Sequence, residues 1–265
     1  MSETASETGS PDASSRSFRA IVTADAIQTA VEVVEALFDE CHLYLDAEGV
    51  RLSAIDPATV ASAELTLGRS AFDTYEATDI HTGVDLSRLR DVVGMADGGQ
   101  RVELALAPET RTLDVRIGGL EYALALIDPE TIRQPPDRPE GGHDITGQAV
   151  TDADDFDRAV RAADMVANHL ALGIDETAEE FYVEAEGDTD DVSLALGADE
   201  LVDLSPGDAH SLFSLDYLTA IDRAVPADTE LELRLGTEQP ATITYEFADD
   251  AGSVEYLVAP RIASN

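Results

Sequence analysis

Five histidines and one cysteine are the side chains in this sequence best suited to nucleophilic, acid–base or metal chemistry. No two histidines stand at the i, i+4 spacing of a helical metal site. They are His42, His81, His143, His169 and His210. Cys41 and His42 are neighbours in a predicted strand, where adjacent side chains point to opposite faces, so they are poorly placed as nucleophile and base. We interpret Cys41 as a core residue and predict neither a metal site nor an intramolecular disulfide.

Sequence motifs for catalysis or cofactor binding are also missing. There is no G-x-S-x-G nucleophile elbow and no G-x-G-x-x-G after a strand. The run from Gly187 to Asp191 resembles a cation loop but lacks the glycine and the later glutamate of a calcium loop, so we interpret it as a solvated turn. We predict no cofactor and no enzyme. The alternative that stays open is a hydrolase from a halophile, with a carboxylate pair hidden among the many acids.

Lysine is absent, because all 16 basic residues are arginine. P-loop proteins need a lysine on the phosphates, and pyridoxal enzymes and Schiff-base aldolases need an amine. Protein kinases use a strand lysine to hold the nucleotide. These classes are therefore excluded in their usual form.

The 265 residues include 55 Asp and Glu, which gives a formal net charge of -39. A hydrophobic fraction of 44% is nevertheless sufficient for a buried core. At molar salt the Debye length is only ~3 Å, so repulsion among surface carboxylates is largely screened. The composition favours a protein of a high-salt cytoplasm; an acidic protein from an ordinary cell is the alternative.

The start of the chain and its hydropathy bear on location. No apolar run approaches the ~20 residues that span a bilayer, and the first residues lack the basic and apolar regions of a secretion signal. Residues 1–17 are rich in Ser, Thr, Glu and Gly, which predicts a disordered tail. We expect a cytoplasmic protein without a membrane partner.

An internal repeat organises the chain. TADAIQTAVEVVEAL from Thr23 and TDADDFDRAVRAADM from Thr151 share an acidic start and apolar residues at helical spacing. A second pair of predicted helices, at 86–96 and 215–225, and a strand pair after them lie 129 residues apart. Between the helices each copy alternates with the period of strands, as in VRLSAI and EFYVEAE.

This repeat predicts an α+β protein made of two tandem copies of one domain. The first copy spans 18–130 and the second 144–262, joined by a Pro- and Gly-rich connector at 131–143, with 263–265 as a short C-terminal tail.

Four motifs in order resemble the DNA polymerase sliding clamp family, proliferating cell nuclear antigen (PCNA). They are GVRLSAIDPATVASAELTL from Gly49, FDTY from Phe72, SLDYL from Ser214 and YLVAPRI from Tyr256. The resemblance covers 18–262, and the acidic, lysine-free composition suggests a clamp from a halophilic archaeon. It implies antiparallel sheets outside and two short helices inside each copy, in a homotrimeric, pseudo-sixfold ring. Such a ring encircles duplex DNA and tethers DNA polymerase, the clamp loader and other proteins that carry a clamp-binding motif. A clamp relative that acts only as a repair scaffold is a further reading.

The resemblance also implies three sets of functional residues. A pocket for a Q-x-x-h-x-x-aromatic-aromatic peptide would be formed by Ile55, Val60, Ile132, Pro240, Leu257, Ala259, Pro260 and Ile262. In the connector, Gln134 and Pro136 stand where other members have aliphatic residues. The subunit interface would pair Tyr122, Leu124 and Leu126 of one chain with Val192, Leu194 and Leu196 of the next.

The third set is the DNA-facing surface, with Arg88, Arg90, Arg158, Arg161 and Arg223 on the repeated helices. The same helices carry many acids, and counterion release contributes little affinity at molar salt. We therefore expect weak, mainly topological retention of DNA; the alternative role of these arginines is surface solubility.

Overall fold

The computed structural model describes residues 18–107, 110–136 and 142–261, which form 18 strands and four helices. The first half contains β1 (Phe18–Thr23), α1 (Ala24–Glu35), β2 (Glu40–Leu45), β3 (Gly49–Ile55), β4 (Ala61–Gly68), β5 (Phe72–Ala77), β6 (Ile80–Asp85), α2 (Leu86–Val93), β7 (Arg101–Ala107), β8 (Thr112–Ile117) and β9 (Leu120–Ala125). The second half contains β10 (Gly147–Asp152), α3 (Ala153–Asp164), β11 (His169–Asp175), β12 (Glu180–Glu186), β13 (Asp191–Gly197), β14 (Asp203–Ser205), β15 (Ala209–Ser214), α4 (Leu215–Ala224), β16 (Glu230–Leu235), β17 (Ala241–Phe247) and β18 (Gly252–Val258).

The two halves have the same order of elements: strand, helix, five strands, helix, three strands. This is the α+β duplication that the sequence predicts. The apolar residues of the repeat form the buried faces of the first helix in each half. They are Ile27, Ala30, Val31 and Val34 in α1, and Phe156, Ala159, Val160 and Ala163 in α3.

The first helix of each half begins behind the predicted Thr or Asp residue, but the side-chain capping hydrogen bond is found at another helix. Thr23 and Asp152 occupy the N-cap positions of α1 and α3, and acids fill the first turns behind them, where they favour the helix dipole. The clearest side-chain cap is at α2, where Asp85 accepts a hydrogen bond of 2.9 Å from the Arg88 amide.

The described strands form three antiparallel sheets. Their orders are β5-β1-β7-β8-β9, then β14-β10-β16-β17-β18-β4-β3-β2-β6, and β13-β12-β11-β15. The nine-stranded sheet joins the halves, because β18 pairs with β4 from Gly252↔Leu67 to Val258↔Ala61. In contrast, β9 and β13 each lie at the end of a sheet.

The helices cover one side of the sheets and contact one another in the order α2, α1, α4, α3. In β4 the residues that face the helices are buried, namely Ala61, Ala63, Leu65 and Leu67, and those between them are half-buried or exposed. Such alternation gives the sheets a core side and an outer side. None of the described helices is long and apolar enough to cross a membrane.

The segment after β9 crosses the outer side. Ile127 exchanges backbone hydrogen bonds of 2.8 and 2.9 Å with Gly83 on β6, and a 3-10 turn follows at Pro129–Thr131. Ile132 then packs on Gly83, where a Cβ atom would collide with its side chain. A glycine at position 83 therefore fixes the start of the connector against the sheet.

Candidate binding surfaces

A groove of about 550 Å³ lies on the outer side, between the β3–β4–β18 surface and the connector. Five of the eight predicted pocket residues line it: Ile55, Val60, Pro240, Leu257 and Ala259. All five are half-buried, so they present apolar surface without being part of the core. The groove has the size and composition of a site for an apolar anchor on a peptide.

The other three predicted pocket residues are placed differently. Ile132 is 7% exposed and packs on Gly83 instead of lining the groove, because the connector turns down onto β6 at this point. Gln134, Pro135 and Pro136 form the connector wall. Pro260 is half-buried beyond β18, and Ile262 lies outside the described residues.

Asp56 fixes the β3–β4 turn that carries Val60. Its carboxylate accepts hydrogen bonds from the amides of Ala58, Val60 and Ala61 at 2.7–2.9 Å, and from the Tyr217 hydroxyl of α4 at 3.0 Å. Burial alone would raise the pKa of Asp56, but these hydrogen bonds outweigh it and lower the pKa. Burial, then the carboxylate, raises the pKa of Tyr217 to about 12. The contact links the groove to the helix layer.

The far end of the groove is polar and contains a stack of three side chains. The Arg51 guanidinium carbon lies 3.9 Å from the centre of the Tyr44 ring, and the His81 ring stacks on Tyr44 at 4.2 Å. Arg51, Tyr44 and His81 are cross-strand neighbours on β3, β2 and β6. Partial desolvation of the ring, then His42 and Arg51, lower the pKa of His81.

His42 connects this stack to the connector. Its Nδ1 lies 3.0 Å from His81 Nε2, and its Nε2 lies 3.3 Å from the Arg133 carbonyl. Since a carbonyl only accepts, His42 carries its proton on Nε2 and His81 donates to Nδ1. Cys41 is buried on the opposite face, and burial, then Glu40, raise the pKa of its thiol. Among the described residues no group of three or more His, Cys, Asp or Glu could hold a metal ion.

The predicted interface residues lie on the two edge strands. On β9, Tyr122 is 39% and Leu120 is 37% exposed, whereas Leu124 is buried in its own half; Leu126 follows the end of β9 and is half-buried. On β13, Val192 and Leu194 are half-buried and Leu196 is buried. Each edge therefore keeps large apolar side chains accessible next to unpaired backbone groups.

The five predicted DNA-facing arginines are exposed on the helix layer. Four of them make ion pairs with acids of the same layer: Arg88 with Asp85, Arg90 with Glu35 and Asp91, Arg158 with Asp155 and Arg161 with Asp157, at 2.6–3.4 Å. The positive charge on this surface is thus largely balanced locally.

A carboxylate pair lies on the same surface. Asp157 of α3 and Asp222 of α4 share a hydrogen bond, and burial followed by the Asp157 charge raises the pKa of Asp222 to about 6. The first half has Gln28 at the position of Asp157, and its side-chain amide donates to the carbonyls of Val93 and Ala96 at 2.8 and 3.0 Å. The contact between the two helices is therefore a neutral amide–carbonyl contact in the first half and a carboxyl–carboxylate contact in the second.

Relatives identify the family. A profile of the proliferating cell nuclear antigen N-terminal domain matches residues 19–117. The DNA polymerase sliding clamp of Haloarcula marismortui is 52% identical over 93% of this chain and 99% of its own length. The chain belongs to the DNA polymerase sliding clamp family. The sliding clamp of Natronomonas pharaonis is also 52% identical, over 94% of this chain and all of its own.

Solved sliding clamps have the same fold. A. fulgidus PCNA, in a structure with the C-terminal region of FEN-1 bound, is 32% identical with a TM-score of 0.87, covering 94% of this chain and all of that one. PCNA from Thermococcus kodakaraensis is 28% identical with a TM-score of 0.82, covering 92% and 100%. The hydrolase alternative finds no support among these sliding clamps.

Several residues of the sliding-clamp groove escaped the sequence analysis. His42 and His81 are 39 positions apart and meet only because β2 and β6 pair. Tyr44 and Arg51 looked like ordinary strand residues. The Asp56–Tyr217 contact spans 161 positions. The alternation of β2 and β3 places these outer-face side chains on one surface, but no local signal shows that the connector runs beside them.

Proposed function

We propose that three copies of the chain close into a ring that encircles duplex DNA and tethers DNA polymerase and other replication or repair proteins. The observation that carries this proposal is the β18–β4 junction. Within one chain, the last strand of the second half pairs with the fourth strand of the first half. The strands at the same positions of the repeat, β9 and β13, are unpaired edges, so a second copy can repeat the junction between chains.

The register of this contact follows from the repeat. Tyr122 lies in the row Ala20–Leu104–Val115–Tyr122, and Tyr256 lies in the equivalent row Ala149–Leu233–Ile243–Tyr256. Ala20 and Ala149 each stand four residues before their helix. Tyr256 pairs with Ala63, whose counterpart on β13 is Val192. Tyr122 is therefore expected opposite Val192, and Leu120 opposite Leu194, in the neighbouring subunit.

A side-chain contact supports the same arrangement. At the junction the Tyr256 hydroxyl donates a hydrogen bond of 2.7 Å to the Val33 carbonyl of α1. Val33 is the tenth residue of α1, and Ala162 is the tenth residue of α3. By the same geometry the Tyr122 hydroxyl of one subunit donates to the Ala162 carbonyl of the next.

A closed ring of three chains contains six repeats and places the helix layer toward the DNA. The family resemblance supplies this orientation, and the local ion pairs of the arginines explain a weak, non-specific contact with the phosphates. Retention is topological and needs no catalytic residue. The ring acts in the cytoplasm, at the nucleoid where its DNA is.

Partners dock in the outer groove. The likeness to A. fulgidus PCNA with a FEN-1 C-terminal region bound supports a peptide as the occupant. The half-buried side chains Ile55, Val60, Leu257 and Ala259 offer a desolvated site for the apolar residue of a Q-x-x-h-x-x-aromatic-aromatic segment. DNA polymerase, the clamp loader and other motif-bearing proteins would compete for this groove.

Light scattering in 2 M KCl tests the ring. The chain has a mass of 28.2 kDa, so the trimer has a mass three times as large, about 85 kDa. A monomer at every protein concentration would overturn the proposal.

A peptide titration tests the groove. A fluorescein-labelled peptide with the spacing Q-x-x-L-x-x-F-F, and Ser elsewhere, should bind to the wild-type protein. Leu257→Asp should abolish binding because it places a charge in the apolar floor. Val202→Asp is the matched control, since Val202 is 51% exposed on a loop outside the groove. Equal binding by wild type and Leu257→Asp would refute the groove as the site.

A further inference from the structure

The polar end of the groove holds a guanidinium in a fixed position. Arg51 lies on one face of the Tyr44 ring and His81 on the other, because the three residues are neighbours on adjacent strands β3, β2 and β6. Cation–π contact with Tyr44 restricts the long Arg51 side chain. Tyr44 and Arg51 both line the groove. The guanidinium donors are thus positioned at the wall of a peptide-sized cavity.

Arg51 differs from most arginines of this chain. Within the described parts of the chain no carboxylate lies within ion-pair distance of it. Eight other arginines do have such a partner: Arg88, Arg90, Arg101, Arg111, Arg116, Arg158, Arg161 and Arg234. Five other described arginines also lack such a partner, namely Arg19, Arg69, Arg133, Arg223 and Arg261, but all five are exposed and Arg51 is half-buried. A half-buried guanidinium is most stable when an anion accepts its fork of hydrogen bonds.

The distance from Arg51 to the apolar floor can be read from β3. Ile55 follows Arg51 by four residues on the same strand, so both side chains point to the outer side. At ~3.3 Å per residue their Cα atoms are about 13 Å apart. An extended peptide that places an apolar side chain beside Ile55 therefore brings a residue about four positions away to Arg51.

We propose that Arg51, held on Tyr44, binds a carboxylate of the docked partner peptide, about four residues from the apolar residue that occupies the groove. The proposal rests on the peptide-binding function proposed above and adds a specificity determinant to it. Partners of this clamp would be selected by an acidic residue, or by a C-terminal carboxylate, in addition to the apolar motif. The bidentate geometry of the pair makes Arg51 more selective than general surface charge.

The experiment is a double-mutant cycle in 2 M KCl, measured by fluorescence anisotropy on the full-length protein. The reference peptide carries Q-x-x-L-x-x-F-F with Ser elsewhere and an amidated end. Two further peptides have Glu four residues before the Leu or five residues after it, directly behind the second Phe, each with a Gln counterpart. A last peptide ends four residues after the Leu with a free carboxylate, and its amide is the counterpart.

On wild type we expect one carboxylate peptide to bind roughly three- to tenfold more tightly than its neutral counterpart. If a Glu peptide binds more tightly, Arg51 binds a side-chain carboxylate. If the peptide with the free end binds more tightly, Arg51 binds a C-terminal carboxylate. On Arg51→Gln the two peptides should bind equally. Arg101→Gln is the matched control, since Arg101 is exposed and pairs with Asp73 outside the groove, and it should keep the wild-type ratio. Tyr44→Phe should retain the gain and Tyr44→Ala should reduce it.

The outcomes separate this proposal from the one on which it rests. If all peptides bind, Leu257→Asp abolishes binding and the carboxylate gain is missing or survives in Arg51→Gln, the groove function stands and the Arg51 proposal falls. If no peptide binds to a correctly folded trimer, both fall. Circular dichroism and light scattering of each variant identify those that fail to fold or assemble.

Discussion

The β18–β4 junction and the β9 and β13 edges are the same surfaces of a repeated domain in two different states. At the junction Tyr256 and Leu65 are fully buried, and Val254 is 1% exposed. At the edges the equivalents Tyr122 and Leu120 are 39% and 37% exposed. Each half therefore has apolar surface on these strands that another half must cover. Within one chain the surface is covered at the β18–β4 junction, and it stays accessible at β9 and β13.

The two contacts also differ in chemistry. At the junction Tyr217 of α4 donates to Asp56. In the first half, the residue equivalent to Tyr217 is Arg88, the third residue of α2. In the second half, the turn equivalent to the Asp56 turn is Gly187–Asp191. The Gly187 amide donates to the Asp190 carbonyl just as the Asp56 amide donates to the Ala61 carbonyl. The intrachain contact is a partly buried hydrogen bond, whereas the proposed interchain contact would bring an arginine to an acidic turn.

The largest expected effect is the loss of the interchain contact alone. Leu120→Asp places a carboxylate opposite Leu194 of the neighbour, and burying an unpaired charge costs about 3–5 kcal/mol. Each of the three contacts of a ring is affected, so we expect a folded monomer at micromolar concentration by light scattering. Val202→Asp, at an apolar position that is 51% exposed against 37% for Leu120, should remain trimeric. A trimer of normal stability for Leu120→Asp would show that β9 is not the interface.

Removing the tyrosine hydroxyl at the junction or at the β9 edge should affect different properties of the protein. Tyr256→Phe leaves the Val33 carbonyl without its donor, which should lower the free energy of unfolding by about 1–3 kcal/mol in chemical denaturation. Tyr122→Phe should leave the unfolding of the monomer unchanged and weaken only the association of subunits. A loss of monomer stability in Tyr122→Phe would contradict the equivalence of the two tyrosines.

A smaller effect is expected from making the α3–α4 pair resemble the α1–α2 pair. Asp157→Gln should allow the side-chain amide to bond carbonyls at the end of α4, as Gln28 does in α2. We expect a gain of about 1 kcal/mol at pH 7.5, or a rise of roughly 2–4 °C in Tm by calorimetry.

The pH dependence of this gain has a defined sign. The folded pKa of Asp222 is about 6, above its ordinary value of 3.8, so the folded state of the wild type binds a proton more tightly than the unfolded state. The stability from this proton is present below about pH 4 and is lost as the pH rises to about 6. The advantage of Asp157→Gln should therefore shrink on acidification from pH 7.5 to 4.5. A constant advantage would exclude the shared proton as its origin.

The smallest effect concerns Arg88. Arg88→Gln should reduce the free energy of trimer formation by about 0.2–1 kcal/mol, as is usual for exposed ion pairs. The difference from wild type should narrow as KCl rises, because salt screens the contact with the acidic turn. Arg158→Gln, on a helix with a comparable internal ion pair, is the control. A difference that is independent of salt would argue against an ion pair across the interface.

Sequence periodicity was sufficient for the four helices, for several of the strands and for the repeat. The apolar spacing of α1 and α3 and the alternation of β3, β4, β12 and β13 have direct local causes, so the α+β duplication is confirmed at the level of individual helices and strands. The groove and interface residues came from the family resemblance, and their roles stay predictions. Contacts across long sequence distances, such as His42 with His81 and Asp56 with Tyr217, depend on the pairing of strands and the packing of a helix from the other half, which leave no local trace.

The continuous nine-stranded sheet has a consequence for synthesis of the chain. β4 ends at Gly68, and its partner β18 begins only at Gly252. At ~5–20 residues per second, the ribosome needs roughly 10–40 s to make the segment between them. If the first half folds during that time, it presents β4 and β9 as two open edges, which are complementary under the proposed ring contact. The proposed ring contact therefore predicts that neighbouring nascent chains can join through these edges before β18 is made.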